Sequence, residues 1–306
     1  MKITENLLPK VQVLLSTYNG EKFLSDQIES LINQEGVNIS ILVRDDGSND
    51  KTIELLNQWQ DKGILNWYSG EHLNAALSFI DLLNSANGAD YYAFCDQDDV
   101  WDSDKLAVAI EKLEKFCKDA PSLYYSSLRL VDENLKTIKI HSIEVKRNLK
   151  ARYIFSGVAG CTMVFNNQML LKAKQFCPKG TSIIMHDSWI FKLCIAIGGQ
   201  TIADIDSHIS YRQHGNNTLG ISPTNMQKFK RRLYYLLDSR VQDELKELAS
   251  FYKDQMTAEY KKFTELICNY NKSFINWLKL LFCRGINFHH FGLAFLFRVK
   301  VLIIKM

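Results

Sequence analysis

Along the first 130 residues, short β-rich runs alternate with helical stretches. The runs are VQVLL (11–15), ISILVRDD (39–46), ILNWYS (64–69) and YYAFCD (91–96), and helices are predicted near 20–33, 50–60, 74–87 and from Ser103 onward. This rhythm predicts βαβ units around a parallel sheet. Reading SLYYSSLRLVD (122–132) as one further strand completes four α/β repeats by about residue 130.

The rhythm then breaks. A hairpin-like DENLKT, a glycine-containing SGVAGCTMVF, a helix beginning near HDSW and a strand-like QTIADIDSHISYRQH predict a mixed-sheet second half that completes one domain. From about Ser222 the pattern becomes a basic helix (QKFKRRLYYLLDSR), a charged helix, and an apolar, basic tail ending FGLAFLFRVKVLIIKM. A domain spanning 1–221, followed by a basic, amphipathic helical region over 222–306, is the expected organisation. No internal repeat or low-complexity tract interrupts it.

With 306 residues, 46% hydrophobic and 23% charged, the chain can build one large core with an appendage. A formal charge of +3 is too balanced for general nucleic-acid binding. The seven cysteines are odd in number and form no CxxC pair, which argues against a disulfide framework or zinc ribbon and fits a reducing compartment. The opening MKITENLLPK has no apolar signal core, so a cytosolic protein is expected.

Ligands of open parallel sheets bind beyond the carboxyl ends of the strands, so polar residues directly after a strand are the first candidates for chemistry. Ser16-Thr17-Tyr18-Asn19-Gly20 follows the first strand and is suited either to hold a base and ribose or to form a turn. Arg44-Asp45-Asp46-Gly47-Ser48 follows the second; Asp45 can serve the Asp-Gly turn while Asp46 faces a ligand. Asp96, Asp98 and Asp99, after the strand YYAF, place three carboxylates within four residues. Their mutual repulsion is best offset by a hard divalent cation such as Mg²⁺ or Mn²⁺, the alternative being a solvated helix start. Mg²⁺ bound by one or two carboxylates implies a diphosphate partner. The chain contains no GxxxxGK[ST] loop, which argues against a P-loop NTPase.

The order VQVLLSTYNGEKFLSDQIESLINQ, ILVRDDGSNDKT, FCDQDDVWDSDKL resembles the nucleotide-sugar-binding half of family 2 glycosyltransferases, over about the first 110 residues and more weakly to about 217. The resemblance implies a GT-A fold, an α/β Rossmann-like mixed sheet flanked by helices, with an acceptor half over about 111–221. It implies Ser16, Tyr18 and Asp46 as base-binding residues. A DXD element falls on Asp96 and Asp98 for the metal and sugar nucleotide, and His214 completes the metal shell. A glycine-bearing loop corresponds to 157–162, and Asp187 in His186-Asp187-Ser188-Trp189 is the implied catalytic base, with His186 a supporting group. The pattern departs from the family at Asn74-Ala75-Ala76, where many relatives carry Asn-x-Gly.

Such an enzyme displaces a nucleoside diphosphate from an anomeric carbon by an acceptor hydroxyl, with inversion. The combination of RDDGS, FCDQDDVW, HDxW and YRQHGNN resembles bacterial polysaccharide rhamnosyltransferases, implying dTDP-L-rhamnose as donor, with UDP-hexose-dependent glucosyl or galactosyl transfer as the alternative. In the tail, apolar runs broken by Lys279, Arg284, Arg298, Lys300 and Lys305 suit a helix lying in an anionic membrane interface, or else a helical pair packing on the catalytic domain. The expected setting is peripheral, on the inner face of the cell membrane, with a lipid-linked oligosaccharide acceptor and scope for a homo-oligomer. A nucleotidyltransferase lacks support because STYNGEKF is not glycine-rich, and a non-catalytic scaffold has no need of Asp96, Asp98 and Asp187 together.

Overall fold

The computed structural model describes residues 8–145, 148–175, 183–215, 240–283, 285–287 and 291–303. The chain divides into two compact units. The first comprises residues 1–143, 158–177 and 200–217; the second comprises 144–157, 178–199 and 218–306. The expected boundary at 221/222 and the basic helix QKFKRRLYYLLDSR, apart from its final Arg240, lie outside the described residues.

The first unit is built from β1 (Lys10–Thr17), α1 (Leu24–Ile32), β2 (Asn38–Asp45), α2 (Thr52–Asp61), β3 (Asn66–Ser69), α3 (Ala75–Ser85), β4 (Tyr91–Asp96), β5 (Val100–Trp101) and α4 (Lys105–Leu113). Then come β6 (Ser122–Ser126), β7 (Leu128–Val131) and β8 (Thr137–His141), and later β9 (Val164–Asn166), α6 (Asn167–Ala173), β10 (Gln200–Asp204) and β11 (Ile209–Arg212). Seven strands form one mixed sheet in the order β10-β6-β9-β4-β1-β2-β3, in which β9 runs antiparallel to both neighbours. The central strands are covered on both faces. Val11, Val13, Leu14 and Leu15 of β1 and Tyr92 through Cys95 of β4 are fully buried, the continuous apolar pattern of parallel strands flanked by helices. Helix α1 buries Leu24, Ile28 and Leu31, spaced as one helical stripe.

Two expected strands are each two. The run 122–132 divides at Ser127 into β6 of the large sheet and β7 of a second, four-stranded sheet ordered β5-β11-β7-β8. The run 200–214 divides likewise into β10 and β11. Ser127 donates its backbone N–H to Asp204 O at 3.1 Å, and its hydroxyl accepts from Ile143 N at 3.1 Å, so the kink is fixed by distant partners. The hairpin expected at DENLKT is present between β7 and β8, with Leu135 in the left-handed region at φ 63°.

The second unit contains α5 (Leu149–Ile154), α7 (His186–Ala196), α8 (Arg240–Tyr252), α9 (Ala258–Asn269), α10 (Phe274–Leu281) and α11 (Phe291–Ile303). Helix α7 is buried nearly all round, and both α5 and α9 pack on it. Thr257, the cap of α9, donates its backbone N–H to Ala196 O at 2.9 Å, and Tyr153 of α5 shares a hydroxyl–hydroxyl bond of 2.7 Å with Thr264 of α9.

Candidate active site

Parallel pairing sets the carboxyl ends of β4, β1 and β2 side by side. Ser16 lies opposite Asp96 on one side and Arg44 on the other, and Thr17 lies opposite Asp45. The three polar clusters of the sequence therefore share one sheet edge.

At the β2 end the two neighbouring carboxylates have different tasks. Asp45 accepts from Gly47 N and Ser48 N, both at 2.9 Å, and closes the turn in which Gly47 takes φ 82°. Asp46 is buried and ion-paired with Arg44. Arg44 also reaches Asp81 at 2.9 Å and Glu71 O at 3.0 Å, passing so close to Gly70 that a side chain there would collide with it. Arg44 is thus occupied by carboxylates of its own chain. Above this network Tyr18, 42% exposed, lies against the ring of His72 with centroids 4.5 Å apart, and His72 Nδ1 lies 3.1 Å from Asp46 O. Tyr18, Asp46 and His72 together present a ring platform beside a buried carboxylate. Ser16 bonds Ser78 through its hydroxyl at 2.7 Å.

The loop after β1 is stitched to the loop after β2. Asn19, at φ 48°, donates its N–H to Ser48 Oγ at 2.8 Å and accepts from Asn49 N at 2.9 Å, while Gly20 N donates to Thr52 Oγ1 at 2.8 Å. Asn74, where the family pattern is broken, caps α3 by accepting from Leu77 N at 3.1 Å.

The acidic turn after β4 contains two groupings. Asp98 Oδ2 lies 2.6 Å from His214 Nε2, joining residues 116 apart in sequence. Asp96 offers a carboxylate oxygen within 4.8 Å of one on Asp99 and of the Cys161 sulfur. Asp99 is fully buried; one oxygen accepts from Arg212 N at 3.1 Å, and the other has no hydrogen-bond partner among the described residues. Burial, with the Asp98 and Asp96 charges adding to it, pushes the Asp99 carboxyl well above the usual range. Lys105 lies nearby, buried, with Nζ 2.6 Å from Cys161 O and over the Trp101 ring, and burial pulls its ammonium down to about 7. The Asp98–His214 pair and the neighbouring Asp96 carboxylate supply oxygen and imidazole donors of the kind a divalent cation takes, while the grouping of Asp96 with Asp99 also brings in the Cys161 thiol, a softer donor.

In the second unit, Asp187 lies in the first turn of α7 but is not its cap. The cap position is Met185, and Asp187 Oδ1 accepts from the adjacent Ser188 N at 2.5 Å. The helix start favours its negative charge. His186 is buried, and burial pushes its imidazole down to about 3, which keeps it neutral in ordinary buffers.

Three side chains of this region have no role assigned from the sequence. His72 is the ring partner of Tyr18, and Gln97 bonds the Tyr18 loop. Arg212 holds the acidic turn through Asp98 O at 2.9 Å and Asp99, and reaches Asp26 at 2.9 Å. Arg212 and Gln97 each stood inside a string that carried a signal, YRQH and FCDQDDVW, whose histidine and carboxylates were the residues singled out; His72 stood in none.

The mixed sheet and the shared polar edge define a GT-A type fold, and the chain belongs to glycosyl transferase family 2, whose model matches residues 12–172. Among curated relatives, a dTDP-rhamnosyl transferase, RfbG, of Shigella flexneri is 29% identical over 238 residues, covering 71% of this chain and 77% of that one. A UDP-Glc:alpha-D-GlcNAc-diphosphoundecaprenol beta-1,3-glucosyltransferase, WfgD, of Escherichia coli is 29% identical over 124 residues, covering 40% of this chain and 47% of that one. Among solved structures, S. aureus TarS in complex with UDP-GlcNAc superposes with TM-score 0.54 at 14% identity over 97% of this chain and 91% of that one. The mannosyltransferase PcManGT of Pyrobaculum calidifontis, in complex with GDP-Man and Mn²⁺, gives TM-score 0.53 at 12% identity, over 98% and 88%.

Proposed function

We propose that this glycosyltransferase moves L-rhamnose from dTDP-L-rhamnose to a hydroxyl of a lipid-linked saccharide, with inversion, in the assembly of a cell-surface polysaccharide. The observation that carries the reading is the shared edge of β4, β1 and β2, where a ring platform and an acidic, histidine-paired turn lie side by side. The sugar rests on the likeness to the Shigella dTDP-rhamnosyl transferase. The shorter likeness to the glucosyltransferase supports UDP-glucose as the second reading.

Tyr18 and His72 stack on the pyrimidine, with Ser16 and Asp46 at its polar edge. Asp96, Asp98 and His214 would hold Mg²⁺ or Mn²⁺, which when bound offsets charge on the departing diphosphate. Arg212 and Asp99 fix the backbone of the acidic turn. Asp187 accepts the acceptor's hydroxyl proton as the new bond forms. One base suffices for a single displacement.

The test is donor turnover. Nucleotide release from dTDP-L-rhamnose, UDP-glucose, UDP-galactose and UDP-N-acetylglucosamine is followed with Mn²⁺ or Mg²⁺ and a lipid-linked acceptor. Release from dTDP-L-rhamnose alone, abolished by EDTA, is expected. In Asp98→Ala the rate should fall by roughly 10²-fold or more, the scale of losing one electrostatic element of a transition state. Release from a UDP-sugar alone selects the second reading, and release from none moves a non-catalytic scaffold ahead.

The C-terminal helices support a membrane setting. No helix among the described residues is long and apolar enough to cross a bilayer. Helices α10 and α11 pack on each other, with Trp277 Nε1 donating to Val301 O at 2.8 Å, yet Phe274, Ile275, Phe282, Phe295 and Leu302 remain exposed. Residues 266–306 contain six Lys or Arg and no Asp or Glu. Exposed aromatics beside unbalanced positive charge suit an anionic bilayer interface. The full chain should co-sediment with phosphatidylglycerol-rich vesicles and much less with phosphatidylcholine vesicles. Phe274→Ser with Phe282→Ser should weaken binding about tenfold or more, the scale of two exposed rings withdrawn from lipid. Equal recovery on both vesicle types would remove the membrane from the reading.

A further inference from the structure

The residue between the two acids of the DXD element is not a spacer. Gln97 leaves the acidic turn and bonds the loop after β1 three times. Its Oε1 accepts from Thr17 Oγ1 at 2.6 Å and from Tyr18 N at 2.8 Å, and its Nε2 donates to Tyr18 O at 3.1 Å. A primary amide carries both a donor and an acceptor, so it can bond the N–H and the C=O of one residue at once. The sheet makes the reach possible, because Ser16 and Asp96 are opposite each other in the β1–β4 register. Thr17 ends β1 and Gln97 directly follows β4.

The neighbourhood is shaped around this amide. A Cβ added at Gly20 would stand 2.5 Å from Gln97 Oε1 and 2.8 Å from Thr17 Oγ1, so no side chain fits there while the amide is in place. Gly20 has no left-handed backbone angle, so space accounts for the glycine. Asn19, at φ 48°, is held from the other side by Ser48 and Asn49. The Tyr18 loop is therefore pinned on the acidic-turn side by Gln97 and on the β2 side by Asn19.

We propose that Gln97 is a positioning residue that fixes the Tyr18–His72 platform at a set distance from the Asp96–Asp98 turn, so that the nucleoside and diphosphate ends of one donor are gripped together. This rests on the donor reading given above. A nucleoside diphosphate spans both places, so a loop free to drift from the turn loses the benefit of gripping both ends at once. The consequence is coupling: metal at the acidic turn and nucleotide on the platform strengthen each other's binding through Gln97.

The experiment uses the full-length protein and three variants, Gln97→Met, Gly20→Ala and the double variant, with Mn²⁺, dTDP and UDP as probes in calorimetry and donor kinetics alongside. Gln97→Met keeps the length of the side chain and removes its bonds. It should raise the donor KM roughly tenfold, about the worth of one to two net hydrogen bonds. Its kcat at saturating donor and its acceptor KM should shift less than threefold, and the tightening of nucleotide binding by Mn²⁺ should shrink by a similar factor. Gly20→Ala should give the same split by pushing the amide aside. In the double variant the two effects should not add, since the methyl then displaces a side chain that no longer bonds.

Wild-type protein binding neither nucleotide would sink the donor reading, and this assignment with it. Wild-type binding matched by Gln97→Met within twofold would leave the donor reading standing and overturn the role of Gln97 alone. Additive effects, or a fall in melting temperature with donor and acceptor KM rising together, would also overturn it, since a merely structural residue behaves so.

Discussion

Replacing Asp187 with Asn should lower kcat by roughly 10²–10⁴-fold, the range by which a positioned general base accelerates a reaction. The donor side should be spared, because Ser16, Tyr18, Asp46 and Asp98, the residues proposed to hold the donor, all belong to the other compact unit. Nucleotide binding in the presence of Mn²⁺ is therefore expected within threefold of wild type. Asn keeps the size of Asp and gives up only the helix-start charge interaction, worth about 0.3–1 kcal/mol, so α7 should form normally and the circular dichroism should be unchanged. His186 cannot take over, because burial holds its imidazole near 3 and leaves it a poor proton acceptor. The residual rate of Asp187→Asn should thus acquire no new pH-dependent limb near neutrality. A kcat within threefold of wild type would place the base elsewhere and undo the assignment.

What the sequence made legible is what depends on local order. The βαβ rhythm, the strand-end position of each polar cluster and the turn function of Asp45 all follow from residues a few positions apart. Contacts fixed by sheet pairing were legible only where the family resemblance supplied them, as for His214 beside Asp98. Gln97 meets Tyr18 across 79 residues and Arg212 meets Asp98 across 114, and both meetings exist because particular strands are neighbours. Residues 122–132 read as one strand because the apolar pattern continues across Ser127, while the change of sheet is imposed by Asp204 and Ile143. His72 carries no motif and becomes visible only where its ring meets Tyr18. Similarly, α8 reads as a charged helix by composition, and nothing local tells Glu244, buried beside Val241, Leu245, Leu248 and Tyr252, from its other acids as one that meets a distant lysine.

Glu244 is the basis of the second large effect. It is fully buried and ion-paired with Lys192, itself 1% exposed in the middle of α7. Its other oxygen accepts from Ile184 N at 3.4 Å, two residues ahead of His186. A charge stranded in such a place is costly, so Glu244→Leu and Lys192→Met should each destabilise the protein by about 3–5 kcal/mol. The pair itself is not expected to be worth that much, since taking two charges out of water offsets much of their attraction. Lys192→Met combined with Glu244→Leu should therefore recover most of the loss, a coupling that chemical denaturation of all four proteins would measure. The double variant should still be slow, because no group then holds the Ile184 peptide and the approach to Asp187 is looser. A double variant as stable and as fast as wild type would make the pair dispensable. One as unstable as the worse single variant would show that packing at these positions, rather than charge, sets the cost. Either single loss would show that the C-terminal helices belong to the structure that presents Asp187, so that a chain ended near residue 221 would leave Lys192 without its counter-charge and could not keep α7 in place.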